Sequence, residues 1–346
     1  MQNNVTHKIE NINGISANVY GLQKTPQDDY TLLLNAFLSE QDVNTNSRKV
    51  YRYALQEFFN WIKANQKSIA TLESSDIIDY KRHLTEDIST STGRKRTPLT
   101  VNAYITALRI FYGWASKNGY SKDLTFRLKG VQAENGFIKM HLTPAECRKL
   151  LETAKNSESK TALRDYTLLK LLLGTGIREI EAIRARVCDI KTVRGRWVLW
   201  IQRKGRVAKD KFVPLTGDVF RALNEYLESR GEPGPDEPLF ITDGYSTKQQ
   251  GTPLSPRSVQ MITKKYLRQI GLDSHQYSGH SLRHTTAVTI IRGGASLYDA
   301  QLALGHSNPA TTQRYLKSIE NEELLENPPT LLVQRMLEET DQETIN

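Results

Sequence analysis

From Asp28 onward, apolar residues recur at helical spacing, beginning with the stretch TLLLNAFL at 31–38. Ser47 is placed to cap a longer helix that runs through Ile62. One face of that helix, Tyr51, Ala54, Leu55, Phe58, Phe59 and Trp61, returns at the same offsets as Tyr104, Ala107, Leu108, Phe111, Tyr112 and Trp114. Two helices with one repeated apolar face predict a helical bundle of roughly 100 residues, with these aromatics as its core. Before it, residues 1–27 are polar and carry Gly14, Gly21 and Pro26, the pattern of a flexible arm. After it, residues 121–142 lose steady periodicity and read as a linker.

A second helical region opens at Thr143, an N-cap followed by Pro144 at the first helical position. DYTLLKLLLGTGIREIEAIR (165–184) reads as a buried helix stopped at Gly174, then a helix capped by Thr175 with Arg178 in its first turn. The segments 196–202 and 211–215 alternate like strands around a charged turn and predict a small antiparallel hairpin. A helix within 253–271 is closed by Gly271, another begins near Ser281, and Gly305 ends a third before Asn308-Pro309 opens the next. The expected fold is mainly α with a small antiparallel β-hairpin. Its expected divisions are an arm (1–27), a helical domain (28–120), a linker (121–142), a second domain (143–320) and a tail (321–346).

Charge narrows the choice of partner. The 346 residues carry a net +9, but residues 320–346 are net −7, so the preceding 319 carry +16. So basic a body favours a polyanion such as DNA. Arg94, Lys95 and Arg96 sit in a polar loop suited to phosphates, and Arg48, Arg52, Asn102, Thr106 and Arg109 occupy the polar faces of the two long helices. The two cysteines, Cys147 and Cys188, have no metal-ligand spacing and fit a reducing compartment. No apolar run approaches the ~20 residues needed to span a bilayer, and the amino terminus lacks the layout of a signal peptide. A cytoplasmic protein without a membrane partner is expected.

The chemistry concentrates in GTGIREIEAIR, GHSLRHTTAV and LGHSNPATTQRYL. Cleaving a phosphodiester without a metal takes fixed cationic donors around the phosphorus and an oxygen nucleophile in line. Arg178, Lys204, His280, Arg283 and His306 supply cations, and Tyr315 supplies the oxygen. Glu181, three residues after Arg178, shares its face and can orient it. His280 and Arg283 point to one side of a helix. His280 and His284 have metal-ligand spacing, but the carboxylate of a zinc-hydrolase motif is missing. No metal and no cofactor is expected. A free phenol has a pKa of about 10, and cationic neighbours favour its phenolate.

These strings closely resemble the tyrosine recombinases, the phage-integrase family that includes the Xer and Cre types. The resemblance rests on Arg178-x-x-Glu181, His280-x-x-Arg283, and His306 with Tyr315 nine residues later. It spans residues 143–320, and the earlier bundle looks like the family's core-binding domain. It implies a C-shaped clamp around duplex DNA, in which Tyr315 attacks the scissile phosphate to leave a 3′-phosphotyrosyl link. Arg178, His280, Arg283 and His306 would hold the phosphate, with Glu181 supporting. Lys204 matches the family's general acid, although seven residues separate Gly205 from Val213-Pro214, more than in the family's usual pattern; Lys209 is the second candidate. The resemblance further implies a tetramer that joins two DNA sites through a Holliday junction, with room for an accessory or partner recombinase. The tail, through Leu332, Val333, Met336 and Leu337, would dock on a neighbouring protomer or fold back on its own domain. The rival readings are a type IB topoisomerase and a non-catalytic DNA-binding regulator.

Overall fold

A computed structural model describes residues 30–89, 92–132, 140–203, 206–243, 251–305, 308–326, 328–333 and 337. The chain divides into two compact units, Met1–Gly136 and Phe137–Asn346.

The first unit is built on four helices, α1 (Thr31–Ser39), α2 (Thr45–Ala64), α3 (Ser74–Glu86) and α4 (Pro98–Lys117). The repeated aromatic face packs as expected: α2 lies against α4, and Phe58, Phe111 and Tyr112 are fully buried. Phe37 of α1 meets Phe111 edge-on at 5.5 Å between ring centres, and Phe58 meets Tyr80 of α3 at 4.9 Å. Edge-to-face pairs of this kind add about 0.5–1.5 kcal/mol each beyond the burial of their area. The cap of α2 differs from expectation. Asn44, not Ser47, caps it, and the Asn44 side chain accepts the Ser47 N–H at 3.0 Å. Asparagine is as good a cap as serine, and the helix gains the turn before Ser47.

The second unit contains α5 (Pro144–Lys155), α6 (Ala162–Thr175), α7 (Glu179–Ile183), α8 (Gly217–Ser229), α9 (Pro256–Gln269), α10 (Gly279–Arg292), α11 (Leu297–Leu304) and α12 (Pro309–Glu326). Thr143 caps α5 through a reciprocal pair with Glu146, with Pro144 in the first turn. Helix α6 is the spine: Leu168, Leu169, Leu171 and Leu172 are buried, and α5, α8 and α10 pack around it.

A three-stranded antiparallel sheet, β1 (Ile190–Val193), β2 (Arg196–Ile201) and β3 (Lys211–Pro214), lies in the order β1-β2-β3. Only β2 and β3 were expected. Strand β1 joins through Arg194 and Gly195, both at positive φ (49° and 74°), the tight turn that matches strand twist. An arginine at such a position gives no turn signal in sequence.

Two helix boundaries also move. Gly174 does not stop α6; it is helical, and a Cβ there would fall 2.7 Å from Val219 Cγ2 of α8. The stop is Gly176, at φ 63°, where a left-handed residue ends the helix. Helix α10 starts at Gly279 rather than near Ser281.

Candidate active site

The corner between α6 and α7 sets the first cation. Because α6 runs on to Thr175, Arg178 is the N-cap of α7 rather than part of its first turn. Glu181 accepts the Arg178 backbone N–H at 2.8 Å through Oε2 and the guanidinium Nη1 at 3.0 Å through Oε1. Glu181 is 1% exposed, while the Arg178 side chain is 30% exposed. One buried carboxylate thus fixes both ends of the arginine and leaves part of the guanidinium open to a ligand, a charge-assisted geometry with little freedom to rotate.

Helix α10 brings the second. Arg283 is buried and donates from Nη1 to the Gly176 carbonyl and from Nη2 to the Leu304 carbonyl, the latter at 2.7 Å. These carbonyls belong to the C-terminal ends of α6 and α11, which carry partial negative charge. Burial, then repulsion from Arg178, holds the Arg283 pKa below its ordinary value, while the hydrogen-bonded Tyr315 works in the opposite direction. Arg283 is therefore the node at which α6, α10, α11 and the tyrosine meet. His280, one turn earlier, is exposed.

Tyr315 lies in the second turn of α12 and is partly exposed. Its hydroxyl reaches Arg283, and its ring rests on the buried His284, 4.8 Å between centres at 31°. His284, noted in sequence only for its metal spacing with His280, serves here as a platform for the tyrosine. Helical spacing alone does not show which ring will lie across the core from it.

The sheet contributes more than was expected. Lys204 and His306 lie outside the described residues. Lys209 is ion-paired with the buried Asp189, and Arg203 pairs with Asp210 at 2.5 Å. Lys211, at the start of β3, donates to the Leu302 carbonyl at 2.5 Å. Burial lowers the Lys211 pKa, and so does repulsion from Arg203, Arg283 and Arg178, against attraction from Glu181. Sequence reading missed this lysine, because only tertiary folding carries β3 to the end of α11. Glu179 was missed as well. Burial raises its pKa, its Oε1 has no hydrogen-bond partner among the described residues, and a Cβ on Gly279 would come within 1.8 Å of that oxygen.

In the first unit, the candidate DNA contacts divide. Arg94 and Lys95 are exposed, whereas the Arg96 side chain is 5% exposed and ion-paired with Glu57. Arg48 donates to the Gln41 carbonyl at 2.9 Å and Arg52 to Asn35 at 3.4 Å, both on the surface. Asn102 exchanges two hydrogen bonds with Val131, and Arg109 donates to the Leu128 carbonyl, so both pin the segment that follows α4. The Thr106 hydroxyl donates back to the Asn102 carbonyl.

The profile of the phage integrase family matches residues 140–322, more than half of the chain. The chain belongs to the phage integrase family. It is a site-specific tyrosine recombinase, an enzyme that transfers DNA strands. It is 30% identical over 281 residues to the tyrosine recombinase XerC of Pelobacter propionicus, covering 80% of this chain and 86% of that one. It is 26% identical over 296 residues to the XerC of a Roseiflexus species, covering 83% and 88%. The fold is similar to that of a XerH site-specific recombinase bound to a palindromic difH substrate in a post-cleavage complex. The TM-score is 0.67 at 22% identity, over 86% of this chain and 85% of that one. Neither the topoisomerase reading nor the regulator reading is favoured by these relatives. Among the described residues, no helix of this recombinase is long and apolar enough to cross a membrane.

Proposed function

We propose that the recombinase cuts duplex DNA at a specific site with Tyr315 as nucleophile, forming a 3′-phosphotyrosyl bond and releasing a 5′-hydroxyl. The observation that carries this reading is the hydrogen bond between the Tyr315 hydroxyl and the buried Arg283, with Arg178 close enough to depress the Arg283 pKa. Two guanidiniums beside one phenol can hold the non-bridging oxygens of a phosphate while the phenolate attacks in line. Arg178, Arg283 and His280 are assigned to those oxygens, and Glu181 to the orientation of Arg178. His306 is assigned to the same charge and Lys204 to protonation of the departing oxygen, both on sequence grounds. Lys209 is the weaker acid, because its ammonium is committed to Asp189. The reaction needs no metal in this reading.

The first unit is assigned to DNA binding, with Arg94, Lys95, Arg48 and Arg52 among its exposed cations and Asn102, Thr106 and Arg109 as further candidates, while Arg96 is turned to Glu57 instead. Synapsis is assigned to a tetramer with a Holliday-junction intermediate. The tail is assigned to protomer docking: Leu331, Leu332, Val333 and Leu337 are exposed, as such an arrangement requires. The test uses the duplex that the full chain enriches from a randomised pool, nicked to trap the product and incubated with excess chelator. Wild type is expected to form a covalent adduct and Tyr315→Phe none. Adduct formation by the phenylalanine variant would remove Tyr315 from its role, and loss of the wild-type adduct on chelation would restore a metal to the mechanism.

A further inference from the structure

Residues 140–142 form a short strap tied to the α10 region. The Met140 N–H donates to the Gln276 carbonyl at 3.2 Å, and the Leu142 N–H donates to Thr285 Oγ1 at 2.8 Å, so the strap is pinned at both ends to the α10 region. Between these anchors, His141 turns inward, its side chain only 8% exposed. Its ring meets His284 edge-on at 5.5 Å, and the His284 ring in turn supports Tyr315 at 4.8 Å. Its Nδ1 lies 3.3 Å from Glu322 Oε1 on α12, two turns after Tyr315, at ion-pair distance but without hydrogen-bond alignment. The other Glu322 oxygen accepts from Arg292 of α10 at 2.8 Å. His141 is therefore linked to the nucleophile's helix twice, indirectly through the His284 ring against the tyrosine and directly through a carboxylate further along.

We propose that His141 is a positioning residue for Tyr315, setting the ring through His284 and tethering α12 through Glu322. The inference rests on the reading of Tyr315 as the nucleophile. Four charged or titratable groups face His141: Glu322 from α12, Arg292 and His284 from α10, and Glu146 from α5. Burial dominates and holds the imidazole pKa below its ordinary value, with Arg292 acting the same way and Glu322 and Glu146 opposing. The ring is thus neutral near pH 7 and packs on His284 as an uncharged edge. When the pH falls and it takes up a proton, the new cation draws on Glu322 and disturbs the packing beneath the tyrosine. Misplacing a reacting atom by about 1 Å can cost ~10²-fold in rate, so a partial tilt is worth about tenfold.

Two readouts test the proposal on the full chain: the pH profile of adduct formation on the selected nicked duplex, and the 19F shift of 3-fluorotyrosine placed at position 315. His141→Ala is expected to slow adduct formation about tenfold at neutral pH with unchanged DNA affinity. His141→Phe, which keeps the ring, is expected to recover most of that rate and to lose one acid-side step from both the profile and the 19F titration. Glu322→Gln, which removes a carboxylate that favours the imidazolium, is expected to move that step to lower pH. Curves for His141→Phe that superimpose on wild type would overturn the proposal. So would equal slowing of both His141 variants at every pH with an unaltered 19F titration, which is the mark of a merely structural residue. If wild type forms no adduct, the nucleophile assignment fails, and the 19F titration alone then decides whether His141 controls the tyrosine.

Discussion

Glu179 shows how a single side chain can carry a cost that its neighbours impose. Its carboxyl is forced against Gly279 at the start of α10, and burial raises its pKa. A group whose folded pKa is raised binds more protons in the folded state, so stability falls as pH rises from the unfolded value through the folded one. Replacing the charge with an isosteric amide removes that loss. Glu179→Gln is therefore expected to raise the melting temperature at pH 7 and to change it much less at pH 4, where the wild-type carboxyl is already largely protonated. A melting series across that range measures the difference, and a uniform shift at both pH values would contradict it. Glu181, two residues on, is buried as well, but its two oxygens are both taken up by Arg178.

At the scale of elements, the site is made where helix ends converge. The C-terminal ends of α6 and α11 both close on left-handed glycines, Gly176 and Gly305, and Arg283 donates to a carbonyl at each end. Lys211 adds β3 to that junction through Leu302. It lies close to Gly305, where a Cβ would fall 2.8 Å from its Nζ. Lys211→Met keeps the apolar stem but removes the donor. The expected result is adduct formation slowed by about tenfold, because the end of α11, which also holds Arg283, loses a fixed anchor, with little change in DNA affinity. Comparing single-turnover cleavage with a binding titration on the same duplex separates the two effects. Equal loss in both would make Lys211 a DNA contact instead.

For the whole molecule, charge and burial assign different work to neighbouring arginines. Arg94 and Lys95 project from the first unit, so replacing either by alanine is expected to reduce the salt dependence of DNA binding by about one unit of slope while leaving the melting temperature in place. Arg96 is folded against Glu57 with its side chain 5% exposed. Arg96→Ala is expected to destabilise the unit by about 2 kcal/mol, since it strips a charged partner from a largely buried carboxylate, with little effect on the salt slope. Chemical denaturation and binding measured over a range of salt concentrations read the two quantities separately. A salt slope that falls for Arg96→Ala and not for Arg94→Ala would reverse the assignment.

The linear chain determined whatever depends on spacing along one helix or strand. The aromatic faces of α2 and α4 follow from the 3.6-residue period, the Thr143-Pro144 start of α5 from capping chemistry, and the Arg178–Glu181 pair from a three-residue spacing that joins an N-cap to its helix's first turn. The family's motif strings were legible for the same reason, since each occupies one short stretch of the chain. The folded molecule decided what spacing does not encode. Gly176 rather than Gly174 stops α6, because helix packing over Val219 settles which glycine must stay helical. Arg96 turns inward to Glu57, 39 residues away, and the His284 ring lies against Tyr315, 31 residues on. Contacts between residues distant in sequence are chosen by which surfaces the whole chain can bury together. For that reason His141 and Lys211, each ordinary in its local string, acquire partners in the site only once α10, α11, α12 and β3 have packed.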